Sequence, residues 1–133
     1  MRKYVDEIIK EVSGWKGVSA YPHRCGGLEF RYGKPEIGHI HSNGLTDIPF
    51  PEKIRDELVK EKMALPHHIL PETGWISYYV KDEKGIGDAI RLFRLSYLRY
   101  LIKRDENISD YKDEIMKMEL PELIKIIYEK MSG

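Results

Sequence analysis

The hydrophobic positions of the chain follow two different periods, and the changes between them mark its elements. Residues 2–13 carry Val5, Ile8, Ile9 and Val12 at i, i+3, i+4 and i+7, which predicts a helix over that span with Gly14 as its stop. From Trp15 to Tyr21 the β-branched and aromatic content is that of a strand, which Pro22 and the glycines Gly26 and Gly27 are expected to end. Leu28, Phe30 and Tyr32 then alternate with Glu29 and Arg31, the period of a half-buried strand. Gly33 and Lys34 suit a two-residue hairpin loop, with a second strand from about Pro35 to His41. The register this loop implies sets Arg31 against Glu36 as an opposite-charge pair, Phe30 against Ile37, and Leu28 against His39. His39, and by alternation His41, are therefore expected on the apolar face with Leu28 and Phe30, where two imidazoles need partners.

Further along, Pro51 and Glu52 suit the first turn of a helix reaching about Met63, with Ile54 and Leu58 inward. LPHHILPETG reads as an irregular connection, and WISYYV at 75–80 as a strand apolar on both faces. A long helix is expected from about Ile86 to Lys103, with Ile86, Ile90, Phe93, Tyr97 and Leu101 as its inner stripe. One or two short helices follow, the last packing through Leu123, Ile124, Ile127, Tyr128 and Met131. Hairpins outnumber parallel crossovers in this order. The expected fold is therefore α+β: a mostly antiparallel sheet of about four to five strands with helices packed on one side. A single domain over residues 1–133 is expected, its core at about 15–104 and a helical C-terminal extension at about 105–133.

Composition narrows the function classes. The chain has 133 residues, 41% hydrophobic and 33% charged, with 22 basic residues against 22 acidic, so no global charge draws it to nucleic acid or to an anionic membrane. The one cysteine, Cys25, excludes an internal disulfide and fits a reducing, cytoplasmic setting. MRKYVDEIIKEV lacks the apolar run of a signal peptide, and no stretch approaches the ~18–20 apolar residues of a membrane span. Glutamine is absent and asparagine occurs only at 43 and 107, a thermophile-like bias.

Four of the five histidines form two tight pairs, His39/His41 and His67/His68. On a strand, H-x-H puts both rings on one side with Cβ atoms ~7 Å apart, close enough to serve one ion. Asp47 lies six residues beyond, and His67 or His68 could complete the set. A divalent metal is the cofactor such a set would take, and His39, His41 and Asp47 are the candidate catalytic residues, a histidine acting as general base. Two blander readings stand beside it, a hydrogen-bonded polar seam and a metal-free pocket for a small molecule. Flavin and nucleotide motifs are absent. The alternative is a nucleic-acid or protein-binding module using the basic face at about 86–104. There Arg91, Arg94, Arg99, Lys103 and Arg104 are interleaved with Tyr97 and Tyr100, without an acid between Asp88 and Asp105. Cys25, in His-Arg-Cys-Gly-Gly, is a lesser candidate for a reactive thiol.

Four pieces read together, GLEFRYGKPEIGHIHSNGLTDIPFP, KIRDELV, PHHILPETGWISYYV and LFRLSYLRY, resemble the luciferase-like family of short luciferase-domain proteins over about residues 15–100. The resemblance implies that Gly38, His39, His41, Asp47, Pro49, Phe50, His67, His68, Gly74, Trp75, Ser96 and Tyr97 lie on the family pattern. It does not imply the flavin-dependent reaction of bacterial luciferases. Those are TIM barrels, a fold that needs at least ~200 residues, so this chain is not expected to be a luciferase of that kind.

Overall fold

The computed structural model describes residues 1–104 and 107–132 and assembles them around one antiparallel sheet. The strands are β1 (Val18–His23), β2 (Gly27–Tyr32), β3 (Glu36–Ile40), β4 (Leu45–Ile48), β5 (Leu65–Pro66) and β6 (Ile76–Tyr79), in the spatial order β1-β2-β3-β4-β6-β5. Among the described residues the sheet thus has six strands, one more than the expected upper count. The addition is β5, two residues within the segment read as an irregular connection, paired through Leu65 with Ser77. β1 runs on through Pro22 to His23, because β1 is the edge strand, where proline's missing N–H costs no ladder bond.

The helices are α1 (Arg2–Ser13), α2 (Glu52–Lys60), α3 (Glu83–Arg104), α4 (Ile108–Lys117) and α5 (Glu122–Glu129), giving the α+β class. No helix among the described residues is long and apolar enough to cross a membrane. α3 lies against β3 and β4, with α1 beside it and α4 against it. Its inner surface is therefore wider than one stripe: Leu92, Phe93, Leu95, Tyr97, Leu98 and Ile102 are all buried, whereas Ile86 and Ile90 are only half-buried. The C-terminal helices pack on α3 by specific contacts. Arg94 forks onto Glu114 at 2.6 and 2.8 Å, and the buried Tyr128 hydroxyl donates to the Leu95 carbonyl at 2.7 Å. Of the expected α5 face, Ile124 and Tyr128 are buried, and Leu123 faces solvent.

The β2–β3 hairpin departs from the expected register in a way that decides the rest. At its loop end Tyr32 N–H donates to the Pro35 carbonyl, and Arg31 faces Glu36 as expected. One step on, Phe30 faces Gly38, then Glu29 faces His39 and Leu28 faces Ile40. Ile37 is an extra residue in β3, a bulge, and everything beyond it changes face. Ile37 and Ile40 enter the core with Phe30, while His39 moves to the opposite face. The expected Arg31–Glu36 ion pair is replaced accordingly, since Arg31 Nε donates to Glu29 at 2.5 Å and Glu36 bonds His39.

Gly38 makes the bulge, with φ at 146°, a conformation that side chains rarely adopt. A Cβ there would also lie 2.7 Å from Phe93 Cε1, inside the contact between sheet and α3. Gly38→Ala is therefore expected to destabilise the protein by about 2–4 kcal/mol, through overpacking and backbone strain together. Urea unfolding checks this, and a loss below about 0.5 kcal/mol would contradict it.

Candidate functional site

The face of the sheet away from α3 carries a row of side chains set by strand pairing alone: Tyr21, Glu29, His39, Asp47, Ser77 and Leu65 lie opposite one another in turn. Alternation adds His23 two residues from Tyr21, and His41 two residues from His39. Gly27, between His23 and His41, has no side chain to separate them, and their rings meet edge to face at 5.8 Å. His67 and His68 arrive from the segment between β5 and β6. There His68 N–H donates to Ser77 Oγ, Arg55 donates to the carbonyls of Pro71 and Thr73, and Gly74 approaches Phe50 so closely that a Cβ would collide with its carbonyl. All five histidines meet on this face.

Asp47 is the centre, 1% exposed. Its Oδ2 lies 3.1 Å from His39 Nε2, 3.2 Å from His41 Nε2 and 3.3 Å from His68 Nε2. Its Oδ1 accepts the Ser77 hydroxyl at 2.7 Å and stands 3.6 Å from His67 Nε2. Outer carboxylates hold two of the rings: His39 Nδ1 is 2.6 Å from Glu36 Oε2, and His23 Nδ1 is 3.1 Å from Glu29 Oε1. Trp75 packs beside His39 and His67.

These partners assign the ring protons. Nδ1 of His23 faces a carboxylate and carries a hydrogen, so in the neutral ring Nε2 holds the lone pair, whereas His39 has a carboxylate at each nitrogen and can donate to both. His67 is the reverse. Its Nδ1 accepts the N–H groups of Ile69 (3.2 Å) and Leu70 (3.0 Å), so the ring's hydrogen is on Nε2 and points to Asp47. Ring planes sort the histidines further. His39 and His41 are nearly perpendicular at 5.2 Å, as two ligands of one ion are free to be. His23 stacks on His39 at 3.9 Å and His67 on His68 at 4.5 Å, with interplanar angles of 20° and 30°.

The electrostatics follow from the same contacts. Burial disfavours the charged form of His39, yet Asp47 and Glu36, one at each ring nitrogen, outweigh it and raise its pKa to about 9. Burial opposes the charge of Asp47 as well, but hydrogen bonds from His39 and Ser77 hold it far below the usual carboxylate range. His67 is pushed down by burial and by its imidazole neighbours, against the pull of Asp47, and stays neutral as its acceptor role requires. In Glu29 the hydrogen bonds of Arg31 and His23 overcome burial and lower the pKa.

The structure thus brings His39, His41, Asp47, His67 and His68 together, and adds His23, Glu36, Glu29 and Ser77, which sequence reasoning missed. The isolated Gly38 inside a strand pattern was the signal for the bulge that gathers them. The pairing of His23 had no comparable signal, because Pro22 reads as a break. Potential ligand atoms of His23, His39 and His41, and separately of Asp47, His67 and His68, lie within 4.8 Å of one another. The four arginines of the long helix do not share one free surface. Arg91 bonds Asp88, Arg94 bonds Glu114, Arg99 is buried on the Pro49 carbonyl, and the exposed Arg104 lies over Tyr100. The side chain of Cys25 lies outside the described residues.

A family model described as "Luciferase domain" matches residues 34–96, the span that holds His39, His41, Asp47, His67, His68 and Trp75. No curated protein and no solved structure matches the chain significantly.

The charge pattern carries a signed pH dependence. His39 binds its proton more tightly folded than unfolded, so its contribution is complete below pH 6.5 and fades as pH rises through about 9. Asp47 contributes above its unfolded value of 3.8 and loses this on acidification. The melting temperature of metal-free protein should exceed that of its His39→Gln variant most between about pH 4 and 6.5, and the excess should shrink toward pH 10. Thermal melts across pH in chelator check this, and an excess that grows with pH would contradict it.

Proposed function

From a chain whose residues 34–96 carry the luciferase-domain sequence, we propose a binding centre for one divalent transition-metal ion, with Nε2 of His39, His41 and His68 and the carboxylate of Asp47 as ligands. One observation carries this reading: three imidazole Nε2 atoms stand 3.1–3.3 Å from a single buried carboxylate oxygen. Ligands bound at ~2.0–2.2 Å around one ion are separated from each other by about 3.0–3.4 Å, and the three nitrogen-to-oxygen distances fall in that range, which supports the reading. A polar seam needs one or two such bonds to satisfy an aspartate. It does not need three imidazoles on one oxygen.

The donor set, three nitrogens and one carboxylate, suits zinc, iron, manganese or cobalt. Glu36 behind His39 is the outer carboxylate that fixes ring orientation and makes Nε2 a better donor. Ser77 donates to Oδ1 of Asp47, and His67 Nε2 stands 3.6 Å from the same oxygen. The side chains of His41 and His68 remain 22% and 32% exposed, so an outside molecule can reach the ion. The ion would supply a Lewis acid that polarises an oxygen of that molecule. One cleft reaches Ser77 and Leu65 at the margin of the site, but His39, His41, Asp47 and His68 line none of the three principal clefts, which favours an open ion site over a deep pocket for a free small molecule. A nucleic-acid-binding face on α3 has less support, since Arg94 and Arg99 are committed to Glu114 and to the Pro49 carbonyl.

Elemental analysis of tag-free protein after soaking in zinc, manganese, iron or cobalt tests the reading. About one ion per chain is expected, with Asp47→Asn and the double variant His39→Ala/His41→Ala losing it while keeping their circular dichroism. Glu36→Gln is expected to retain the site with affinity lowered about 10- to 100-fold. No ion in the wild type, or equal loading of the variants, would overturn the proposal.

A further inference from the structure

His23 belongs to the same cluster as His39 and His41, yet its ring is stacked face to face on His39, 3.9 Å between centroids and 20° between planes. An imidazole lone pair lies in its ring plane. An ion bonded in the plane of His39 therefore stays roughly 3–4 Å off the plane of His23, against a bond of ~2.0–2.1 Å. His23 cannot share the ion of His39 without breaking the stack. The stack is itself built: Glu29 takes the Nδ1 hydrogen of His23 at 3.1 Å, and Arg31 holds Glu29 at 2.5 Å. That bond leaves the lone pair of neutral His23 on Nε2, and one nitrogen of the same ring lies within 4.8 Å of ligand atoms of His39 and His41. A hydrogen-bond acceptor that close to an ion, but unable to bind it, is placed to meet whatever the ion binds. At 22% exposure the side chain borders solvent.

We propose that His23, held by Glu29, is a specificity-determining residue that accepts a hydrogen bond from the ion's external ligand. The centre then selects ligands that coordinate through oxygen and carry an N–H or O–H beside the donor atom, such as water, an alcohol or a hydroxamic acid. This rests on the metal centre proposed above. It differs from a ligand role for His23, which would change metal content, and from a packing role, which would not distinguish one external ligand from another. His67 on the far side is no equivalent, because its lone pair is already used by Ile69 and Leu70 and its hydrogen faces Asp47.

The test uses cobalt-loaded full chain and a matched pair of chelators, acetohydroxamic acid and its N-methyl derivative. Both bind through the same two oxygens, but only the first keeps an N–H. Visible cobalt spectra report each affinity. The wild type should prefer acetohydroxamic acid by roughly 3- to 10-fold, the worth of one net hydrogen bond, and His23→Phe, which keeps a flat ring on His39, should lose that preference. Cobalt content of the variant should stay equal to wild type, with His23→Leu as the substitute if the first variant does not fold. Loss of cobalt on substitution would make His23 a ligand and overturn the inference. So would a preference that is unchanged in the variant, or absent in the wild type. Failure of the wild type to take up cobalt would instead remove the metal centre itself, so the two failures are distinguishable.

Discussion

A buried aspartate must be given hydrogen bonds and positive charge, because a carboxylate taken out of water without them is far too costly to keep ionised. Asp47 sits on β4, one of the two central strands of the sheet, 1% exposed, and the surrounding architecture can be read as the provision of its partners. β3 contributes His39 and His41, β6 contributes Ser77, and the segment between β5 and β6 contributes His67 and His68. The carboxylate holds its charge despite burial because these donors converge on both of its oxygens.

That provision depends on dividing the sheet cleanly into two faces. The bulge at Ile37 and Gly38 makes the division. It lets β3 give isoleucines to the core beneath α3 and histidines to the other side, where a regular two-residue alternation would have put His39 beside Phe30. Gly38 is needed twice at this point, once for its backbone angle and once for the room that Phe93 occupies. Packing of α3 and polar chemistry on the outer face are thus consequences of one residue.

On the outer face, ring orientation separates histidines that distance alone would pool. His39 and His41, the perpendicular pair, both turn Nε2 to Asp47 Oδ2. The stacked partners, His23 and His67, are each turned to a different hydrogen-bonding task, His23 by Glu29 and His67 by two backbone N–H groups. An inner group of donors with flanking groups of fixed tautomer is the arrangement in which outer contacts set the properties of a centre. The long helix stands apart from this. Its arginines serve the attachment of α4 and the anchoring of the Pro49 carbonyl.

Taken alone, the sequence determined what depends on near neighbours. The apolar periodicity of α1, the alternation of β2, the turn at Gly33 and Lys34 and the α+β order all follow from side chains a few residues apart. It also singled out His39, His41, Asp47, His67 and His68, since two histidine pairs and one acid stand out against the chain's background. Which face the histidines occupy was beyond it, because a single inserted residue reverses a strand's alternation and the pattern on either side reads the same. The same holds for His23, whose place was set by the pairing of an edge strand across a proline, and for the arginines of α3, whose partners come from up to 50 residues away. Tertiary structure decided these points. Hydrogen-bond partners and ring planes are relations between segments that only the closed sheet brings together.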